Sequence, residues 1–115
     1  MSLDLFFDYL AMRLNGPKAD GKRIVLNFDF TDVKEKYAVE MVNGVLNHTP
    51  GRQAKDADAT VTLPRETLNQ IVLKQTTLKD AITAGGVKIG GSEAKLDEML
   101  SYLDSFDFWF NIVTP

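Results

Sequence analysis

The dipeptide Asn43-Gly44 stands between Val42 and Val45, and an Asn-Gly step flanked by alternating apolar residues leaves a chain few options other than a tight antiparallel hairpin. A two-residue type I′ turn needs positive φ at both central positions, which asparagine tolerates and glycine adopts freely. Side chains alternate across a strand with period two, so the turn also sets the register: Val42 faces Val45, Met41 faces Leu46 and Val39 faces His48. Upstream, Tyr37, Val39 and Met41 alternate with Lys36 and Glu40 after a polar turn at Asp32–Glu35. Before that, Ile24, Leu26, Phe28 and Phe30 alternate with Arg23, Asn27 and Asp29. The pattern predicts a meander of three half-buried strands. His48, on the apolar side near a strand end, reads as a partly exposed histidine at the sheet margin.

The flanking segments carry helical spacing. Leu3, Phe6, Phe7, Leu10, Ala11 and Leu14 recur every three or four residues, and Asn15-Gly16-Pro17 ends that helix. Its polar face carries Asp4 and Asp8, whereas a membrane-surface helix carries lysine and arginine there, so core packing is expected. After a polar loop at Thr49–Lys55, Asp58–Leu63 alternates as a further strand and Pro64 opens a helix with Leu68, Ile71 and Val72 inward. Thr77 caps a second helix bearing Leu78, Ala81 and Ile82, which Gly85-Gly86 stops. Val87-Lys88-Ile89 forms a short strand bounded by Gly90-Gly91, and Ser92 caps a last helix with Leu96, Met99, Leu100 and Leu103 on its inner face. The tail Phe106–Phe110 holds four aromatic residues. With one polar face on every strand, the sheet is expected to be covered by helices on a single side, an α+β sandwich of two layers.

Several kinds of chemistry are excluded. At 115 residues, with 44% hydrophobic and 25% charged residues, residues 1–115 make one globular domain. The net charge of −3 argues against nucleic acid, whose binding draws on clustered lysine and arginine. Without cysteine and with one histidine, the chain has no thiol nucleophile and no zinc site of the usual Cys/His kind. No catalytic residue, metal ligand or cofactor is assigned to it. Gly85–Gly91 lacks the Gly-Lys-Ser/Thr of a phosphate loop and reads as turns about a short strand. Asp29, Asp32, Asp56 and Asp58 border turns or face solvent, so they read as solvated surface. No apolar run approaches the roughly 20 residues of a transmembrane helix. Met1-Ser2-Leu3 looks like a start codon and cloning remnant joined to a piece of something longer, which leaves the compartment unread.

What remains is a surplus of large apolar side chains: seven Phe, four Met, three Tyr and one Trp. They could fill an ordinary core, or leave an apolar tunnel between sheet and helices able to take an alkyl chain. At about 0.8 kcal/mol per buried methylene, a twelve-carbon chain has roughly 9–10 kcal/mol of gross transfer energy, and association consumes a large share.

Ala57-Asp58-Ala59-Thr60-Val61-Thr62-Leu63 and Ala81-Ile82-Thr83-Ala84-Gly85-Gly86-Val87-Lys88-Ile89-Gly90-Gly91 resemble segments of the sterol carrier protein 2 (SCP2-like) family, over roughly Lys22 to Leu103. Arg13–Ala19, Asn43–His48 and Trp109–Pro115 resemble, more narrowly, the C-terminal domain of bacterial alkyl sulfatases. The resemblance implies an SCP2-like two-layer fold: a five-stranded, mainly antiparallel sheet with helices packed on one face and a hydrophobic groove. It also implies a non-catalytic domain, excised from a larger alkyl sulfatase. Such a domain takes up the alkyl chain of a lipid-like or alkyl sulfate substrate and presents it to a separate metallo-β-lactamase-type sulfatase domain, where zinc would reside. The histidine clusters of that enzyme have no counterpart here. The family's binding positions vary too much to transfer individually. Alternation and helical spacing instead nominate Phe28, Phe30, Val39 and Met41 from the sheet, Leu68, Val72, Leu100 and Leu103 from the helices, and Trp109 at the mouth. The rival expectation is a docking or homodimerisation module with a closed core, no ligand, and Phe106–Phe110 as its contact surface.

Overall fold

A computed structural model describes residues 3–73 and 75–103; the aromatic tail Phe106–Phe110 and Trp109 lie outside the described residues. The elements are α1 (Leu3–Arg13), α2 (Gly16–Ala19), β1 (Arg23–Phe30), β2 (Glu35–Val42), β3 (Val45–Pro50), β4 (Ala59–Leu63), α3 (Arg65–Val72), α4 (Leu78–Ala84), β5 (Lys88–Gly91) and α5 (Glu93–Ser101). The five strands form one sheet in the order β3-β2-β1-β4-β5. Every neighbouring pair is antiparallel except β1 and β4, which run parallel. One apolar cluster joins the inner faces of the strands to α1, α3, α4 and α5.

The hairpin register is as the Asn-Gly turn dictates, with Val42 opposite Val45, Met41 opposite Leu46 and Val39 opposite His48. Asn43 and Gly44 both have positive φ, at 48° and 80°. The turn is also packed: a Cβ on Gly44 would lie 2.8 Å from the Gly16 carbonyl oxygen. Gly16 belongs to α2, a turn of helix that the sequence pattern did not predict. Asn15 ends α1 but restarts the helix one turn later, its side chain accepting from the Lys18 amide at 3.2 Å with proline in the first turn.

Polar groups read as solvated surface turn out to organise the fold. Asp32, in the β1–β2 turn, accepts from the Arg65 amide at 2.6 Å and the Glu66 amide at 3.2 Å. It thereby caps α3, whose own N-cap position is Pro64 and has no side-chain cap bond. Those amides, Arg65 first, hold the Asp32 carboxyl below the ordinary carboxylate range. Asp58 accepts from the Val25 amide at 2.9 Å, and Asp56 pairs with Arg23 at 3.1 Å. The second glycine pair also differs from expectation: Gly90 and Gly91 are part of β5, opposite Thr60 and Ala59. Glycine is needed at Gly91 because φ is +80° and a Cβ would meet the Asp58 oxygen at 2.7 Å.

The outer face of the sheet is not uniformly polar. Strand β3 ends at the same end of the sheet as β1, yet β4 must start at the opposite end to run parallel to β1. Residues 51–58 therefore cross back over the outer face, where Val25 and Asn27 are buried. The Asn27 amide exchanges two bonds with the Ala54 backbone, at 2.7 and 2.9 Å. Gln53 donates to the carbonyls of Phe28 and Tyr37.

Gly44→Ala is expected to cost about 2 kcal/mol or more, combining backbone strain with the Gly16 clash. Gly16→Ala, whose Cβ would sit 3.7 Å from the Gly44 oxygen, should cost far less; urea midpoints of the two variants check the difference. Because Asp32 is depressed in the folded state, its stabilisation is present above about pH 4 and lost as pH falls through its lower folded value. Asp32→Ala should therefore lower the melting temperature at neutral pH and flatten its fall towards pH 2.

Candidate functional site

The inner face of the sheet meets the helices along a seam. Leu26 and Phe28 of β1, Val39 of β2, Leu46 of β3, and Val61 and Leu63 of β4 form its floor. Leu68 of α3, Leu78 of α4, and Leu96, Met99 and Leu100 of α5 form its roof, with Leu103 just beyond α5 and Leu10 of α1 at one side. Alternation along the strands and three- and four-residue spacing along the helices put these side chains inward. All thirteen lining side chains are apolar. Among the described residues, the seam thus has no donor or acceptor side chain to fix a polar group, hold a metal or move a proton. The vacant space inside is about 20 Å³, room for about one water molecule.

Beside the seam, the core is aromatic. The Phe7 ring lies 5.2 Å from Phe28, 5.0 Å from Tyr37 and 6.3 Å from Phe30, and stacks on the His48 imidazole at 5.4 Å. Burial pushes the Tyr37 phenol above its ordinary range, with the Asp4 and Glu35 carboxylates adding to the shift. His48 lies in the edge strand β3, as its alternation implied, but the imidazole has partners. Its Nε2 is 3.1 Å from Asp4 Oδ1 and its Nδ1 is 3.9 Å from Asp8 Oδ1, both carboxylates from α1.

Of the nominated residues, Phe28, Val39, Leu68, Leu100 and Leu103 come together around the vacant space. Phe30 belongs to the aromatic half, Met41 is fully buried elsewhere in the core and Val72 packs half-buried against it. Trp109 lies outside the described residues. Leu10, Leu26, Leu46, Val61, Leu63, Leu78, Leu96 and Met99 also line the seam and were not nominated. Their inward phase was visible in the same periodicities; which inward residues meet at one place depends on how the strands are ordered.

Among the described residues, no group of three or more His, Cys, Asp or Glu could hold a metal ion. None of the described helices is long and apolar enough to cross a membrane. The outer face carries an open cleft of mixed charge, where Arg23 bridges Glu40 at 3.2 Å and Asp56 at 3.1 Å; exposed pairs of this kind add little stability.

A family model described as "Alkyl sulfatase C-terminal" matches residues 1–115. The chain is 70% identical over its whole length to a linear primary-alkylsulfatase of Pseudomonas, of which it spans 17%. A solved structure of a stereoselective inverting sec-alkylsulfatase from Pseudomonas superimposes with a TM-score of 0.83 at 43% identity, covering 100% of this chain and 18% of that one. A palmitated SCP2-type protein from Aedes aegypti superimposes with a TM-score of 0.61 at 22% identity, covering 88% of this chain and 92% of that one, a likeness of fold.

Proposed function

The chain belongs to the alkyl sulfatase C-terminal family, and from that premise we propose that it is a hydrophobic ligand-binding accessory domain. It takes up the alkyl chain of a lipid-like or alkyl sulfate substrate and presents it to a separate metallo-β-lactamase-type sulfatase domain of a longer protein. The observation that carries this reading is the seam, where thirteen side chains, all of those described and all apolar, meet between sheet and helices. A methylene chain needs no hydrogen-bond partner, so such a wall suits it and grades chains by the length they bury. The palmitated neighbour has the same fold. Zinc and the hydrolytic step are assigned to the other domain, because the described residues contain no metal-binding group.

Binding on this reading requires the seam to open. If each carbon needs roughly the space that holds one water, about 10–15 Å³, a dodecyl chain needs on the order of 120–180 Å³, against about 20 Å³ now vacant. Helices must separate from the sheet, and part of the transfer energy is consumed in moving them. The same small volume favours a second reading, a docking or dimerisation module whose core stays closed.

Calorimetric titration with dodecyl sulfate below its micelle concentration, paralleled by the fluorescence of Trp109, distinguishes the two. The accessory-domain reading expects saturable one-to-one binding that strengthens by up to about four-fold for each added methylene from eight to twelve carbons. Leu100→Phe should weaken it roughly ten-fold by crowding the seam. Absence of saturable binding together with concentration-dependent dimerisation would favour the closed module. The purified chain supplied with zinc is expected to release no sulfate from dodecyl sulfate; zinc-dependent turnover would overturn the accessory assignment.

A further inference from the structure

We infer that Asn15 and Asn43 are latent sites of self-modification to isoaspartate, and that the fold keeps both unreactive by clamping the glycine after each against the other. This is a property of the fold and stands apart from the ligand-binding reading. The chain has two Asn-Gly steps, Asn15-Gly16 and Asn43-Gly44, far apart in sequence. In the folded protein their glycine backbones meet: a Cβ on Gly44 would lie 2.8 Å from the Gly16 carbonyl oxygen and 2.9 Å from the Gly16 Cα. The contact seats the junction of α1 and α2 on the β2–β3 turn. Asparagine before glycine is prone to an internal reaction whose only other reactant is water. The glycine nitrogen attacks the asparagine Cγ and gives up its proton, a C–N bond forms, the Cγ–Nδ2 bond breaks, and ammonia leaves a five-membered imide. Water then opens the ring. Cleavage at the main-chain carbonyl leaves the chain running through Cβ and Cγ, which is isoaspartate, and cleavage at Cγ leaves aspartate. Glycine favours the attack because no side chain shields its nitrogen and its backbone turns freely.

Ring closure needs the glycine nitrogen on the same side of the asparagine Cα–C bond as Cβ, and the fold denies this at both steps. Asn43 and Gly44 have φ of 48° and 80°, as in a type I′ turn, where ψ of the first central residue is about 30° and directs the next nitrogen away from Cβ. Asn15 has ψ of 99°, which directs the Gly16 nitrogen away as well. Hydrogen bonds hold these conformations. The Asn43 amide donates to the Lys22 carbonyl at 3.0 Å and the Asn15 amide to the Tyr102 carbonyl at 2.7 Å, while the Asn15 side chain accepts from the Lys18 amide at 3.2 Å. Burial does not supply the protection, because Asn43 is exposed and Asn15 half-buried. The attack therefore waits for the clamp to open, and the two steps, sharing one clamp, become reactive together. At Asn43 the product cannot close again: one more main-chain carbon enters a two-residue turn that already lies tight against Gly16.

The test is incubation of the chain in mildly alkaline buffer, folded or unfolded in urea, followed by peptide mass mapping for loss of the side-chain amide and by enzymatic methyl labelling of isoaspartate. In denaturing urea, Asn15 and Asn43 are expected to convert ahead of Asn27, Asn47 and Asn69, none of which precedes glycine. In buffer both should convert at least about ten-fold more slowly than in urea, the scale of a segment that must open locally. Gly44→Ala strains the turn and crowds Gly16, so it should speed conversion at Asn15, whose own glycine is unchanged, by about ten-fold. Gly51→Ala meets a similar φ of +73° with nothing within 4 Å, which places comparable strain away from the clamp and should leave Asn15 slow. If Gly44→Ala fails to fold, the unmodified chain at rising sub-denaturing urea decides: conversion at Asn15 and Asn43 should climb together. Equal conversion in buffer and in denaturing urea, or no lead of the two Asn-Gly steps over the other asparagines in urea, overturns the latent sites. Equal acceleration of Asn15 by Gly44→Ala and Gly51→Ala, or accelerations of Asn15 and Asn43 that part company as urea rises, overturns the shared clamp.

Discussion

Strand β1 has almost no face left to water, and the rest of the domain is arranged around that. Its inner side chains, Ile24, Leu26, Phe28 and Phe30, sit under the helices, while Val25 and Asn27 on its outer side lie beneath the segment that recrosses the sheet. Asn27 makes the outer cover specific. A buried amide without partners costs about 1–3 kcal/mol, and here both ends of the amide are matched by the backbone of Ala54. Fixing that segment delivers β4 beside β1 in register, with Asp58 on the Val25 amide. The pairing of β5 with β4, and with it the approach of α5, follows from where β4 is laid down.

The core that results is divided. Around Phe7 the contacts are between rings, in edge-on and stacked pairs whose flat surfaces admit few alternative packings. Towards β4 and α5 the contacts are between leucine, valine and methionine side chains, which have more rotamers available and adjust to changes of volume more readily. The vacant space falls in this second half. On the proposed reading, the domain keeps its shape through the first half and yields to hydrocarbon in the second, and Phe28 belongs to both.

Much of the fold was legible locally. The β2–β3 register followed from Asn43-Gly44, the helix starts from Thr77 and Ser92, whose side chains do accept cap bonds, and the inner faces from periodicity. What escaped was non-local. Nothing in β1 announces that its second neighbour runs parallel, because partner choice lies in the path of the intervening chain. The roles of Asp32 and Asp58 were hidden for the same reason, since each serves amides distant in sequence. His48 looked solitary because its carboxylate partners come from α1. The seam was half legible: inward phase can be read from spacing, but the choice of Val61 and Met99 over Phe30 and Met41 needs the strand order.

The parallel β1–β4 pair also orders assembly. The β2–β3 hairpin closes a two-residue loop, whereas joining Leu26 to Ala59 encloses that whole hairpin and carries a larger loss of chain entropy. Long-range strand pairing of this kind slows folding and prolongs the exposure of apolar surface. Val61, Leu63 and the leucines of α3 and α5 are thus expected to be covered late as the protein folds. The greasy surface proposed to receive a guest is also the one a nascent chain must shield from its neighbours.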